Sequence, residues 1–220
     1  MVYTEEELRA ISEVVLKHNI LVLSDEIYEK LIYDGSHVSI AQLGPEIKER
    51  TIVINGVSKA YSMTGWRIGY TAASKDIIAA MSRVQSHATS NPAVASQWAS
   101  VEAISGSQEP VEVMRTAFAE RRKVMVDRLN SCDGVSCVEP QGAFYAFPNI
   151  SQSFGKVSKG GAKITDAVTF CEAFLKEEMV ACVPGSGFGA EGFIRLSYAT
   201  SMEAINEALD RLTRFLSTLK

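Results

Sequence analysis

The chain has no excess of basic residues. Of its 220 residues, 22 are Lys or Arg and 26 are Asp or Glu, so the formal net charge is -4. A protein of this charge lacks the cations that neutralise a phosphate backbone or an anionic membrane surface. We therefore do not expect nucleic acid as a partner.

Long hydrophobic runs are also missing. No apolar stretch is long enough to cross a bilayer, and residues 1–7 are polar and acidic where a signal peptide has a basic start and an apolar stretch. These absences predict a cytoplasmic protein with no membrane partner. A targeting segment upstream of Met1 would escape this argument.

Cysteine and proline are scarce, with four and six residues. The cysteines form no C-x-x-C pair and have no histidine at metal-ligand spacing, so we predict reduced, mostly buried thiols and no metal site. They are Cys132, Cys137, Cys171 and Cys182. A hydrophobic fraction of 46% with 22% charged residues is typical of a soluble globular protein.

The first half of the chain alternates helical and strand patterns. Thr4 and Glu7 form a capping box that predicts the start of a helix. Continuous apolar runs of strand length follow at 20–23, 51–54 and 68–72, as expected for strands covered on both faces of a parallel sheet. Helical patterns then occupy about 75–90, 93–105 and 109–130. This order predicts an α/β fold.

The second half has a different character. Short strand patterns are interleaved with helical patterns at about 165–178 and 201–218, which indicates a smaller α+β domain. The four short strands are predicted at 135–138, 143–147, 180–183 and 193–198. We place the domain boundary in the long helix, giving residues 1–125 to a large domain and 126–220 to a small one.

Asp25 follows the first apolar run directly, at the end of a strand where open α/β sheets place their ligands. A carboxylate there needs a cationic partner, for example a protonated ring nitrogen. Taken alone, the segment favours a simpler role for Asp25 as the N-cap of a helix at 26–31. Tyr28 could present its hydroxyl to the same pocket.

Lys59 follows the second strand, after Gly56, Val57 and Ser58. Small neighbours could desolvate this lysine and favour its neutral, nucleophilic form, although most lysines simply lie on the surface. Arg67 begins the third apolar run and suits bidentate binding of a phosphate, or an ion pair at a surface or interface.

Arg195 lies between Phe193, Ile194 and Leu196 in an apolar strand. A permanently charged side chain in such a strand needs an anion. A substrate carboxylate would supply one, and so would an internal Asp or Glu.

Together, in this order and spacing, these motifs resemble the fold type I pyridoxal-5'-phosphate (PLP) enzymes, and among them the class I and II aminotransferases. The amino-acid sequences of these motifs are most similar to those of the bacterial and plastid-type aspartate and prephenate aminotransferases of the aspartate aminotransferase family. The matching segments are Ser24–Tyr28, Ser58–Tyr61, Met63–Tyr70, Pro140–Tyr145, Val183–Gly185 and Ile194–Ala199.

The resemblance implies a role for each candidate residue. Lys59 would bind PLP as an imine, Asp25 would pair with the pyridinium nitrogen and Tyr28 would contact the ring 3'-oxygen. Arg67 would bind the cofactor phosphate, and Arg195 the substrate α-carboxylate. The implied reaction transfers an amino group from aspartate or a related donor to a 2-oxo acid such as 2-oxoglutarate, in a homodimer when the protein is full length.

The chain departs from the family pattern in three respects. Many relatives have a phosphate-binding Ser where this chain has Gly56, and animal-type enzymes have an Arg for the second substrate carboxylate where it has Ser86. In relatives, the segment equivalent to Val2–Thr4 follows an Asn-Pro-Thr-Gly motif. We therefore expect the carboxy-terminal part of such an enzyme, inactive by itself.

Two other functions fit the same motifs. A carbon-sulfur lyase or a related synthase would share the fold with residues like Lys59 and Arg195 but catalyse another reaction. A non-catalytic fragment or assembly module would keep the family's surface without its activity.

Overall fold

A computed structural model of the protein describes residues 2–220. The chain forms two compact units, one ending at Arg115 and the other spanning Thr116–Lys220. This division lies earlier in the chain than the boundary after residue 125 expected from the sequence. Both positions lie within one helix, α5 (Glu109–Asn130), so the sequence pattern contains no break that could locate the division.

The first unit opens with helix α1, Glu5–His18. Its predicted capping box is confirmed: the Glu7 N–H donates to Thr4 Oγ1 at 3.2 Å and the Thr4 N–H donates to a Glu7 carboxylate oxygen at 2.8 Å. The helix ends at Asn19 in the left-handed conformation, with φ 52°. Its buried Val15 packs in a small core with Ile40 and Ile47.

The sheet of the first unit contains strands β1 (Val22–Asp25), β2 (Thr51–Gly56) and β3 (Gly69–Ala72), in that spatial order. Strands β1 and β2 are parallel, whereas β3 is antiparallel to β2. The expectation that residues 68–72 form another parallel strand was therefore wrong. The connection from β2 to β3 holds only a short 3-10 helix at Thr64–Trp66 and no crossover helix, so the chain returns antiparallel.

The first strand also differs from expectation. We predicted a strand at 20–23 with both faces covered, but β1 begins at Val22. Leu21 and Leu23 remain 59% and 68% exposed. Hydrophobic sequence alone did not show whether another part of the chain covers these side chains.

Five of the remaining helices lie close to their predicted positions. They are α3 (Lys75–Ala88), α4 (Val94–Ser105), α5, α6 (Ala167–Glu178) and α7 (Met202–Thr218). The short helix α2 (Pro45–Arg50) was not predicted. Among residues 2–220, no helix has the length and hydrophobicity needed to cross a membrane. The four cysteines are free, and all but the partly exposed Cys182 are buried.

The second unit contains a small antiparallel sheet in the order β4 (Tyr145–Ala146), β6 (Ile194–Ser197) and β5 (Val183–Pro184). The predicted strand at 135–138 is reduced to one isolated bridge between Ser136 and Asn149. Helices α6 and α7 pack together through aromatic rings: the Phe215 centroid lies 5.3 Å from the centroids of both Phe170 and Phe174. The architecture confirms the predicted α/β class, with short strands and long helices.

Candidate functional site

The sheet of the first unit brings Asp25 and the lysine segment to one edge. Asp25 is the last residue of β1 and aligns with Ile54 of the parallel strand β2, which ends two residues later at Gly56. Because the two strands run the same way, Asp25 and the residues after Gly56 emerge at the same edge. The Asp25 side chain is exposed and its Oδ1 accepts a hydrogen bond from the Ile27 N–H at 3.2 Å.

Lys59 lies in the turn that follows β2. It is half-buried and stands between the buried residues Val57 and Ala60. The residues that follow Lys59 are anchored to α5 and to the loop between α4 and α5. The Tyr61 hydroxyl donates to Gln108 Oε1 at 3.2 Å, and Ser62 Oγ lies 2.9 Å from Met114 Sδ. The lysine is thus carried on an anchored turn, with only part of its side chain in water.

The chain comes back to this edge at Arg67, just before β3 runs antiparallel to β2. It ends the 3-10 helix Thr64–Trp66 in the left-handed conformation, with φ 56°. The pairing of β2 with β3 continues beyond the strands, since the Val57 N–H donates to the Ile68 carbonyl at 3.4 Å. The exposed Arg67 guanidinium donates through Nη1 to the Thr64 carbonyl at 2.8 Å. Within residues 2–220 its other nitrogens have no protein partner.

Gly56 is required by close packing of the backbone. A Cβ atom at this position would lie 2.8 Å from the Ile68 carbonyl oxygen and 3.1 Å from the Gly69 Cα. The absence of a serine hydroxyl here, noted from the sequence, therefore coincides with a tight pairing of β2 and β3. A side chain could enter only if the backbone moved.

Tyr28 lies in the turn at 27–30 that follows Asp25, and is half-buried. Its carbonyl accepts a hydrogen bond from the Leu31 N–H at 2.9 Å, which closes the turn. The predicted helix at 26–31 is therefore only a turn. Asp25 caps this turn through the Ile27 N–H in place of a helix.

Sequence reasoning missed a buried polar network beside Asp25. The Glu26 carboxylate is 7% exposed and accepts hydrogen bonds from Ser24 Oγ at 3.0 Å and Ser39 Oγ at 2.7 Å. His37 Nε2 lies 2.9 Å from the same carboxylate. An acidic residue directly after an apolar strand was the available signal, but its partners lie in a later loop.

Electrostatics favours an ion pair between Glu26 and His37. Burial acts to raise the pKa of Glu26, but hydrogen bonds from His37, Ser39 and Ser24 outweigh it, so the pKa is lowered. The hydrogen bond to Glu26 raises the pKa of His37 against the opposing effect of burial. Both shifts favour the charged forms, a carboxylate and an imidazolium.

Tyr61 and Tyr70 end two of the matching segments, but the sequence assigned no role to either. Burial raises the pKa of Tyr61 and of Tyr70, and the Glu29 carboxylate raises both further. Both side chains are thereby held in the neutral, hydrogen-donating form. Tyr70 lies on β3 opposite Asn55 of β2.

Arg195 belongs to the second unit, on β6 opposite Val183. Its guanidinium carbon lies 4.5 Å from the ring centroid of Tyr145 and 4.6 Å from that of Phe188. Within the part of the chain that the structure describes, Arg195 makes no salt bridge with an acidic side chain. Two aromatic rings, rather than an internal carboxylate, therefore stabilise its charge.

The structure thus brings together three of the five predicted residues, Asp25, Lys59 and Arg67, at one sheet edge, with Tyr28 in the adjoining turn. Arg195 lies in the other unit. Its aromatic partners Tyr145 and Phe188 were not singled out from the sequence. A carboxylate, a partly desolvated amine and a guanidinium on one edge can bind a ligand with a cationic nitrogen, a carbonyl and a phosphate.

The chain is similar to known proteins over nearly its whole length. A model of the family described as aminotransferase class I and II matches residues 1–212. The chain is 54% identical over 217 residues to an aspartate aminotransferase of Geobacillus stearothermophilus. It is 47% identical over 219 residues to an aspartate/prephenate aminotransferase of Cereibacter sphaeroides. These matches cover 98% and 99% of the chain but 54% and 55% of the relatives' own lengths.

A solved structure shows the same fold. The crystal structure of an aspartate aminotransferase from Rhizobium meliloti superposes with a TM-score of 0.94 at 44% identity. The superposition covers 99% of this chain and 55% of that one. The chain therefore spans about half of the proteins to which it is similar.

Proposed function

The chain belongs to the class I and II aminotransferases, and from this premise we propose that the full-length protein is a PLP-dependent transaminase of the aspartate aminotransferase type. It would exchange the amino group of an amino acid with the oxo group of a 2-oxo acid. One observation carries the proposal: Asp25 ends β1 and Lys59 follows the neighbouring parallel strand β2 at the same edge of the sheet, and the chain brings Arg67 back to that edge before β3.

The residues present fit PLP. Arg67 is exposed and has guanidinium nitrogens without a protein partner within residues 2–220, as a site for a phosphate dianion requires. Lys59 is half-buried on a turn that is anchored by hydrogen bonds, so its amine is held where an aldehyde carbon could be attacked. The Asp25 carboxylate is open to a cationic ring nitrogen.

Each side chain then has a defined task. Asp25 would accept a hydrogen bond from the ring N–H of PLP and so keep that nitrogen protonated, and the Tyr28 hydroxyl would donate to the ring 3'-oxygen. Lys59 Nζ would hold the cofactor covalently at rest, and once the substrate amino group displaced it, the freed amine would take up the proton from the substrate Cα. Bound PLP supplies a ring that accepts electron density from that carbon.

Arg195 is proposed to bind the substrate α-carboxylate. Its guanidinium carries no internal salt bridge within the described chain, and the rings of Tyr145 and Phe188 support its planar group. An incoming carboxylate would be its first full anionic partner. The similarity to aspartate and aspartate/prephenate aminotransferases favours aspartate or a related donor, with a 2-oxo acid such as 2-oxoglutarate as acceptor. A homodimer is part of the same proposal.

A two-substrate assay of the full-length protein tests this function. Aspartate, glutamate and prephenate would each be paired with a suitable amino or oxo partner, and initial rates measured over a grid of both concentrations. We expect parallel lines in double-reciprocal plots, because one product leaves before the second substrate binds. No amino transfer with any pair would contradict the proposal.

A further inference from the structure

The strongest additional feature is the buried pair behind the predicted cofactor residues. We propose that Glu26 and His37 are positioning residues that fix the direction of Asp25 and the turn that carries Tyr28. This inference rests on the proposed function, since Asp25 and Tyr28 have their roles only in a PLP enzyme. Neither Glu26 nor His37 is assigned to contact cofactor or substrate.

Side chains alternate between the two faces of the sheet along β1 and at Glu26 directly after it. Successive side chains of a strand point to opposite faces, so Ser24 and Glu26 share one face and Asp25 points to the other. Ser24 Oγ donates to the Glu26 carboxylate at 3.0 Å, as this geometry requires. Holding the Ser24–Glu26 face therefore fixes the face on which the Asp25 carboxylate emerges.

Backbone pairing extends this control past the strand. The Glu26 N–H donates to the Ile54 carbonyl at 2.8 Å, so the β1–β2 ladder continues one residue beyond Asp25. Asp25 is thus held between two restrained neighbours. Rotation about its backbone would break either this hydrogen bond or the contacts of the buried carboxylate.

The Glu26 carboxylate also closes the loop that runs from Glu26 to Ser39. Glu26 begins the segment that contains Tyr28, and Ser39 and His37 lie at its far end, where both reach back to the Glu26 carboxylate at 2.7 and 2.9 Å. Ser39 is itself buried and its Oγ accepts from the Ala41 N–H at 3.3 Å. The two ends of the loop are tied at one carboxylate.

The charges facing the pair support an ion pair. Among the residues that the structure describes, Glu29 adds a second acidic side chain to the pair: one of its carboxylate oxygens lies within 4.8 Å of a Glu26 carboxylate oxygen and of a His37 ring nitrogen. Glu29 faces His37 from the Tyr28 turn and raises its pKa further. His37 Nε2 lies 2.9 Å from the Glu26 carboxylate, so a proton on this nitrogen can join the two side chains and no metal ion is needed between them.

The test uses the full-length protein with Glu26→Gln, His37→Gln and the double variant. Glu26→Gln keeps the shape and removes the charge, whereas His37→Gln removes the cation. Matched controls are Glu5→Gln and His18→Gln on α1, which change the same residue types in the first unit away from the network. Hydrogen exchange of the apo-protein, the PLP dissociation constant, kcat and KM would be measured for each.

We expect faster exchange in the peptide covering residues 22–31 of both single variants and not of the controls. The PLP dissociation constant should rise about tenfold or more, and kcat should fall similarly with a smaller change in KM, because displaced groups lose their alignment. The double variant should be no worse than the more affected single variant, because the two residues act as one unit.

Folded variants that keep the wild-type dissociation constant and kcat would overturn the inference, even if their stability fell, because the pair would then be merely structural. If Glu26→Gln does not fold, His37→Gln decides alone. Absence of transamination by the wild-type protein would sink the proposed function. The exchange measurement on apo-protein would still judge the positioning role, and unchanged exchange at 22–31 would reject it.

Discussion

The two units of the chain differ in how completely they bury their large apolar side chains. Of the largest side chains that are fully buried among the described residues, Leu31 alone belongs to the first unit. The second unit supplies the others: Leu129, Ile150, Ile164, Phe170, Phe174, Ile194, Tyr198, Ile205, Leu209, Leu212 and Phe215.

The first unit shows the opposite character. Its helices and strand β1 leave large apolar side chains in water, as with Leu23 at 68%, Val84 at 70% and Trp98 at 70% exposure. Four of the five predicted site residues lie in this unit. The comparison suggests a division in which the second unit provides intrinsic stability and the first provides the chemistry, and four predictions test it.

The largest effect is expected from Lys59→Ala. Removing the amine should lower the transamination rate of the full-length protein by at least about 10³-fold, because both the covalent link and the proton transfer are lost. The urea midpoint should barely move, since Lys59 is half-buried on a turn. Lys75→Ala, at the start of α3, is the control. If the Lys59→Ala variant turned over substrate at the wild-type rate, the first unit would not supply the catalytic lysine.

Cavity-forming substitutions test the other half of the division. Phe215→Ala in the second unit should cost about 3 kcal/mol in the free energy of unfolding, because a fully buried ring leaves a cavity. Trp98→Ala should change that energy by only about 0.5 kcal/mol, since the indole is 70% exposed. Urea titrations of both variants give the comparison. If both variants lost the same free energy of unfolding, Trp98 would have to be buried in solution.

Gly56→Ala should have an intermediate effect, costing about 2 kcal/mol. The new methyl group would meet the Ile68 carbonyl oxygen at 2.8 Å, and relief requires β2 and β3 to separate. Gly65→Ala is the control, because nothing lies within 4 Å of a Cβ at that position. A Gly56 variant as stable as the control would refute the close strand pairing.

The smallest effect is a pH dependence carried by the His37–Glu26 pair. The pKa of His37 is raised from 6.5, so its contribution is complete below pH 6.5 and is lost as pH rises through the raised pKa. The pKa of Glu26 is lowered from 4.5, so its contribution is complete above pH 4.5 and is lost as pH falls through the lowered pKa.

The stability difference between wild type and His37→Gln should therefore be largest between these pH values, at about 1 kcal/mol, and should shrink in alkaline solution. Urea unfolding from pH 5 to 9 measures it, with His18→Gln as the reference variant. A difference that grew with pH would reverse the assigned charges.

Local features of the fold were predictable from the sequence, and long-range ones were not. The start of α1 at Thr4 and the spans of α3 to α5 follow from capping and helical periodicity, which act over a few residues. The antiparallel direction of β3 depends on how its connection folds. The missing strand at 135–138 depends on whether a partner strand runs alongside it.

The site divides in the same way. Asp25, Lys59 and Arg67 stand in motifs whose residue order could be recognised, and each follows or precedes an apolar run. The Glu26–His37 contact joins residues across a loop whose closure also requires Ser39. No periodic pattern in the sequence indicates this contact. Arg195 was predicted to need an anion, but its contacts with Tyr145 and Phe188 became visible only in the structure.

The central claim is that Lys59 holds the cofactor at the sheet edge shared with Asp25. Its most direct test is borohydride reduction of the full-length protein after exposure to PLP, followed by peptide mass mapping. The account predicts a pyridoxyl adduct on the peptide that contains Lys59, and its loss in Lys59→Ala. A correctly folded protein with no adduct there, or with the adduct retained on another lysine, would contradict it.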